Sequence, residues 1–555
     1  MCWNPKEALS AAEIVVIPYN MLLSSATRQS IGLSLRSCLV LIDEAHNIPE
    51  VLRSISSSRV PLPIIESALN QLLLYMKKYK ERLAERNIFY LGQIRRCLVS
   101  MKRFLNRDQE RNQMMTSTEL LFALKLDNMN LFKILKYLEK SRLSQKLLGF
   151  TNNIQLKEKE SNETNLKEQE NTMSKHVSAL SMIQEFLVYL TGRKNEGKII
   201  VEWHPKQKEA DSELRSTQLV SVPSFRFVLL KPATQFRSIL DEAHAVVLAG
   251  GTLRPFSHIS TELLSCAKSE GLVKKSAEAE MQCETSLANG NSSVTMISSS
   301  LTTFTCNHVV PTSNVHISCL SCGPTNKQLD FRHSTRSSSA MCDELGRIVL
   351  NCCSVIPAGV VIFLPSYTYE AHIVNHWKKT GIFEKINRKK NVFREPKNPR
   401  HIEKCLATYS REAQSQNGSI LLSVIGGKMS EGINFADDMA RCVLVVGLPY
   451  PDFKCPEMRE KMDSLDRAFL DGKSMISGQS YYQNLCMRAL NQSIGRAIRH
   501  ANDYAAIILV DKRYVCEPKI WNGLPFWLRK GQPKATQVSF GDAISGLHEF
   551  FNRRI

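Results

Sequence analysis

The sequence predicts an α/β fold built on mainly parallel sheets, and three observations carry that reading. Apolar runs such as Val360-Val361-Ile362-Phe363-Leu364 lack polar alternation, as strands covered on both faces require. Between the runs, apolar residues recur at helical spacing. One run, Leu39-Val40-Leu41-Ile42, ends directly in two acids, Asp43 and Glu44. Open α/β sheets bind their ligands at the C-terminal ends of strands.

The elements follow in chain order. In residues 1–50, Ile14–Ile17 and Cys38–Ile42 read as buried strands, with a helix over Asn20–Arg36. Residues 51–237 read as helical, because Ile64, Ile65, Ala68, Leu69, Leu72, Leu73 and Met76 keep helical spacing. So do Leu131, Ile134, Leu135 and Leu138, then Ile183, Phe186, Leu187 and Leu190. Within that block, 151–175 is too polar and charged to order itself and is expected to be a flexible loop. Residues 238–262 return to a strand, Ala245–Ala249, followed by Gly250-Gly251-Thr252. Residues 263–340 read as a linker, Ser-rich and disordered over 268–300. From 341 to 545 helices alternate with the runs Val360–Leu364, Ile420–Leu422, Val443–Val446 and Ala505–Val510, which predicts a second α/β domain.

Composition narrows the class. The 555 residues allow three or four domains at roughly 150 residues each. Lys and Arg number 72 against 53 Asp and Glu, a formal net charge of +19. That excess suits an anionic partner such as nucleic acid, and equally a surface charged for solubility. No apolar run reaches the roughly 18 residues of a membrane-crossing helix. Met1-Cys2-Trp3-Asn4-Pro5 has no basic stretch leading into an apolar one, so no signal peptide is expected. The 16 cysteines are scattered and are expected to be reduced, intracellular thiols.

The chemistry concentrates in a few constellations. In a nucleotidase, the first acid of Asp43-Glu44-Ala45-His46 would hold Mg²⁺ through water, and the second would orient and deprotonate the attacking water. Asp241-Glu242-Ala243-His244 repeats the four letters, but there the strand follows the acids, so this copy reads as a chance match. The glycines of Gly426-Gly427-Lys428-Met429-Ser430-Glu431-Gly432-Ile433-Asn434-Phe435 suit either a loop whose amides face phosphate or a simple turn. Gln492, Arg496 and Arg499 would share one face of a helix, and two guanidiniums there can stabilise charge on a transferred phosphoryl group. Cys306-x-His308 with Cys319-x-x-Cys322 has zinc-like donors, against a reading as strand and loop without metal. The basic run Lys77, Lys78, Lys80, Arg82, Arg95 and Arg96 fits a path for single-stranded DNA as well as a solvated helix face.

Asp43–His46, Gly250–Thr252, Phe363-Leu364-Pro365-Ser366-Tyr367, Ser430–Phe435 and Gln492–Arg499 resemble, in the right order, motifs II to VI of superfamily 2 helicases. The details resemble the ChlR type within the XPD/FANCJ group of iron–sulfur DNA helicases, over most of the chain. The resemblance implies two RecA-like motor domains, each a parallel sheet flanked by helices, with a helical arch inserted into the first. Residues 1–50 and 238–262 would form the first motor domain, 51–237 the arch and 341–545 the second motor domain. It implies ATP and Mg²⁺ as cofactors, with Asp43 on the metal, Glu44 as base, and His46, Gly432, Gln492, Arg496 and Arg499 around the nucleotide. Gly250, Gly251, Thr252 and Ser430 would bind DNA or couple it to ATP. Full-length relatives carry a [4Fe-4S] cluster; Cys2 would be a remnant ligand, and this chain is expected to hold no cluster. The implied function is a nuclear, ATP-dependent 5′→3′ DNA helicase acting in replication, repair and sister chromatid cohesion. Its partners would be single-stranded and forked DNA with replication and cohesion proteins, and no membrane.

One departure qualifies this. No Gly-x-x-x-x-Gly-Lys-[Ser/Thr] phosphate loop occurs: Gly427-Lys428 is followed by Met429, and Gly472-Lys473-Ser474 has Arg467 at the first glycine position. The chain is therefore expected to be N-terminally truncated and inactive by itself. The alternatives are a non-catalytic DNA-binding or regulatory short product and, more distantly, an RNA helicase.

Overall fold

The computed structural model describes residues 9, 12–107, 112–160, 178–192, 196–203, 222–265, 293–298, 301–306, 308–429, 433, 435–472, 474–529 and 535–554. Contacts divide the chain into two compact units, Met1–Ile42 with Asn47–Val247, and Asp43–His46 with Leu248–Ile555.

In the first unit, β1 (Leu39–Ile42) begins a series continued by β2 (Ser58–Pro61), β3 (Gln113–Met115), β4 (Gly197–Glu202), β5 (Ser224–Leu229) and β6 (Ala245–Leu248). β1 and β6 pair as a two-stranded sheet, while β2-β5-β4-β3 form an antiparallel sheet. The helices Leu62–Lys78, Glu85–Leu105, Leu131–Ser141 and Ala179–Gly192 share one core with that sheet, through Ile65, Leu98, Ile134, Phe186, Phe225 and Phe227. The block 51–237 is thus not wholly helical, which corrects the sequence reading. Ile199–Val201 is an apolar run too short for periodicity alone to assign, and the run Phe225–Leu229 is broken by Arg226.

Four further expectations change. Ile14–Ile17 is not a strand, and Ile14 and Val16 are exposed. β1 alternates, with Val40 and Ile42 buried and Leu39 and Leu41 exposed, so its apolar run does not report burial on both faces. The helix expected over 20–36 is two, Tyr19–Leu23 and Ser25–Ile31, because Ser24 leaves helical backbone and its Oγ accepts from Thr27 N at 3.3 Å. The second Asp-Glu-Ala-His copy is structural: Glu242 ends a helix, accepts from Leu35 N at 2.9 Å and lies 3.7 Å from Arg28. Of the loop expected at 151–175, residues 151–160 continue the helix Leu143–Glu160, and the rest lies outside the described residues.

The second unit holds β7 (Ser293–Ser298) and β8 (Leu301–Thr305), an antiparallel pair inside or just after the stretch expected to be disordered. It also holds β9 (Val315–Leu320), β10 (Val360–Leu364), β11 (Asn391–Arg394), β12 (Ser419–Val424), β13 (Cys442–Val446) and β14 (Ala505–Val510). These six form one parallel sheet in the order β11-β12-β10-β13-β14-β9. β9 comes from the stretch read as linker, so the sheet begins before residue 341. Every residue of β10, β12, β13 and β14 is buried, which is why their sequences do not alternate. Successive residues of β10 enter different cores. Ile362 and Leu364 meet Ile348, Trp377 and Leu547, while Val361 and Phe363 meet Tyr409, Leu490 and Trp521. The helix Tyr367–Lys379 that follows β10 and the turn Gly426–Met429 that follows β12 begin at the C-terminal edge of this sheet.

Candidate active site

The site is assembled within the second unit from the short turn Asp43–His46, the segment after β6 and the helix Gly478–Ile494. β1 stops at Ile42 and the chain turns at once. Glu44 takes a left-handed backbone with φ 45, and its N–H donates to Asp43 Oδ1 at 2.9 Å. Left-handed backbone at a residue with a side chain costs roughly 1–3 kcal/mol and gathers at functional sites. Both carboxyl groups are exposed. Ala45 N–H donates to Ala249 O at 2.9 Å, which ties the turn to the end of the neighbouring strand, where Gly250-Gly251-Thr252 follows. A methyl group at Gly250 would stand 3.5 Å from Glu44 Cα, an ordinary contact, and Gly251 faces open space, so sterics alone demand neither glycine.

His46 is the junction. Its ring is buried, with Nε2 against Gln492 Nε2 and Nδ1 3.2 Å from Thr252 Oγ1 and 3.3 Å from Glu44 Oε2. Arg488 closes the arrangement, donating to His46 O at 3.3 Å and lying 3.3 Å from His258 Nδ1. Burial, then the charges of Arg488 and Arg496, push the His46 pKa down to about 4, against a smaller upward pull from Asp43. The ring is therefore neutral near pH 7. A neutral ring satisfies its partners when Nε2 accepts from the Gln492 amide and Nδ1–H points at Thr252 and Glu44.

Gln492 lies in the last turn of a helix begun by Ser477, whose Oγ accepts from Ser480 N at 3.2 Å. The helix ends at Ile494, a single 3-10 turn covers Gly495–Ala497, and Ile498 is extended. The three-residue helical face therefore does not extend to Arg499, which corrects that expectation. Arg496 Nη1 donates to Ile433 O at 3.1 Å. Arg499 is exposed, and its N–H donates to buried Asp503 Oδ2 at 3.1 Å.

Arg488 and His258 escaped the sequence reading, although Arg488 stands four residues before Gln492, a spacing that shares its helix face. Ser430, Gly432 and Cys2 lie outside the described residues. Lys77, Lys78, Lys80, Arg82, Arg95 and Arg96 are exposed in the first unit. Cys319 is buried in β9, and the His308 ring lies tilted against Trp527 with centroids 4.5 Å apart. Among the described residues, one set of three metal-type donors lies within 4.8 Å, Asp437, His500 and Asp503. Cys306, His308, Cys319 and Cys322 are therefore not gathered as a zinc site. The Asp437 set already holds a cation, since Arg441 reaches Asp503 at 2.9 Å and lies 3.8 Å from Asp437. The exposed carboxylate oxygens of Asp43 and Glu44 at a strand end are hard donors that suit Mg²⁺.

Comparison with known proteins gives the arrangement its context. A family profile described as Helicase C-terminal domain matches residues 349–531, and one described as DEAD_2 matches residues 2–63. The chain is 36% identical to mouse ATP-dependent DNA helicase DDX11 over all of its length, and 34% identical to the zebrafish protein of that name over 99% of it. It spans 61% and 62% of those two proteins. It is 33% identical to ATP-dependent DNA helicase chl1 of Aspergillus clavatus, over 99% of this chain and 71% of that protein. The solved structure of S. tokodaii Xpd4 superposes with a TM-score of 0.50 at 16% identity, covering 93% of this chain and 82% of that one, and so shares its fold. With RecA-like α/β architecture and these relatives, the chain belongs to the DDX11/CHL1 family of ATP-dependent DNA helicases, the ChlR type of the XPD/FANCJ group.

Proposed function

We propose that the protein is an ATP-dependent DNA helicase that unwinds forked DNA with 5′→3′ polarity, in the nucleus, during replication, repair and sister chromatid cohesion. The observation that carries this reading is His46, held between the acid-bearing turn and Gln492. Bound Mg²⁺·ATP would supply the phosphoryl group and the charge that organises it. Asp43 would hold the metal through water. Glu44 would orient the attacking water and take its proton. His46, neutral and hydrogen-bonded on both ring nitrogens, would fix Glu44 relative to Gln492. Arg496 would present its charge to the phosphates, and so would Arg499, whose side chain is exposed. Single-stranded and forked DNA are the proposed nucleic-acid partners, alongside replication and cohesion proteins. A [4Fe-4S] cluster is proposed as a cofactor of the family.

A second reading, a non-catalytic DNA-binding or regulatory product, is favoured by one specific observation: no phosphate-loop pattern occurs in the sequence. The lysine and amides of that loop carry the β- and γ-phosphates. We therefore propose that these residues alone turn ATP over slowly. Fluorescence anisotropy with an oligothymidylate about 20 nucleotides long, together with steady-state ATP turnover, tests both readings. The expected result is salt-sensitive DNA binding with turnover near background. No DNA binding at low salt would overturn the helicase reading. Robust turnover that vanishes in Glu44→Gln would overturn the proposal of slow hydrolysis.

A further inference from the structure

Glu395 follows β11, and nothing in its sequence spacing marks it. The residue is 6% exposed. Oε2 accepts from Ser423 Oγ at 2.7 Å and from Val424 N at 2.9 Å. Oε1 accepts from the Tyr367 hydroxyl at 2.7 Å and from Met429 N at 3.1 Å. The backbone joins in, with Glu395 N donating to Leu422 O at 2.9 Å. The donors come from three places: the first residue of the helix Tyr367–Lys379 after β10, the end of β12 and the glycine turn Gly426–Met429. The Tyr367 oxygen in turn faces the backbone N–H of Lys428. Burial and the neighbouring Glu395 charge push the Tyr367 hydroxyl up to about 12, so it stays a proton donor.

The glycine turn is fitted closely to this pair. A Cβ on Gly427 would stand 2.6 Å from Glu395 Oε1 and 2.8 Å from the Tyr367 hydroxyl, so any side chain there would displace the clamp. Gly426 has φ 72, in the left-handed region. Further along the chain, Phe435 is buried and Ile433 O accepts from Arg496. The turn is thus tied through Glu395 to Tyr367 on one side, and the chain beyond it meets Arg496 on the other.

We propose that Glu395 is a positioning residue whose carboxylate clamps the Gly426–Met429 turn to Tyr367 and to the end of β12. The turn's backbone is then set by the sheet edge and not by its own sequence. This rests on the helicase reading above, in which Ser430, next in sequence after the turn, would bind DNA or couple it to ATP, and extends it to a residue outside the motifs. A carboxylate can accept from four donors at once; the amide of glutamine turns two of those acceptor positions into donors facing donors.

The test is amide hydrogen exchange by mass spectrometry on the 555-residue chain, unmodified and as Glu395→Gln and Tyr367→Phe. In Glu395→Gln the amides of Val424–Met429 are expected to exchange about tenfold faster or more, with β13 and β14 unchanged. Tyr367→Phe removes one bond of the four and should show a smaller increase at the same amides. Unchanged exchange there in both variants would overturn the clamp. So would an equal increase throughout the sheet, which would make Glu395 a stabiliser of the fold alone. If Glu395→Gln does not fold, Tyr367→Phe decides. In parallel, oligothymidylate affinity is expected to fall about tenfold in Glu395→Gln, the loss from about one charged hydrogen bond; unchanged affinity would overturn the coupling role. An unmodified protein that binds no DNA would sink the helicase reading, while the exchange result would still decide the clamp.

Discussion

His46 stays neutral because its ring is buried beside two guanidiniums, and that has a measurable consequence. Its folded pKa, about 4, lies below the ordinary 6.5, so the unfolded chain binds the proton more readily between those values. Stability contributed by this group is full above pH 6.5 and falls as the pH drops toward 4, by at most ~3 kcal/mol. Thermal melts should show a loss between pH 7 and pH 5 that shrinks in His46→Phe; an identical loss in both proteins would contradict the assignment. Asp503 makes a second residue-scale case. It is buried and pairs with Arg441 at 2.9 Å, accepts Arg499 N and Tyr504 N, and so holds the segment that carries Arg499. Asp503→Ala leaves a buried guanidinium short of its partner and is expected to cost ~3–5 kcal/mol, read as a lowered denaturant midpoint. His46, Thr252 and Gln492 were legible in the sequence because each follows a strand end or keeps a helical interval. Glu395 and Asp503 were not, because a lone acid shows no spacing until the fold brings its donors together.

Elements were legible where both faces are covered. β10, β12, β13 and β14 sit inside a six-stranded parallel sheet, so their apolar runs report burial faithfully. The same rule fails at Ile14–Ile17, which forms no strand, and at β1, which is buried on alternate residues only. It also fails at Gln492–Arg499, where the helical interval continues past the point at which the helix stops. The contrast yields a paired prediction. Leu444→Ala, in the middle of β13, removes a fully buried side chain and should cost ~2–5 kcal/mol. Leu41→Ala, exposed in β1, should change stability by under ~0.5 kcal/mol. Urea denaturation of the two variants decides, and equal losses would contradict the burial assigned to the two sheets.

At the scale of the whole molecule, a net charge of +19 predicts that DNA affinity falls steeply with salt. Anisotropy titrations at several salt concentrations should give a straight line of negative slope in log affinity against log salt; a flat line would point to binding without phosphate contacts. The larger claim is that residues 446 positions apart, His46 and Gln492, belong to one site, so that the acids after β1 and the arginines after the Gly478–Ile494 helix act together. A double-mutant cycle measures this most directly. His46→Ala, Gln492→Ala and the double variant are compared by denaturant unfolding. The account predicts that the two losses fail to add by ~1 kcal/mol or more, as for residues in one hydrogen-bond network. Losses that simply sum would contradict it, by showing that the two residues do not meet.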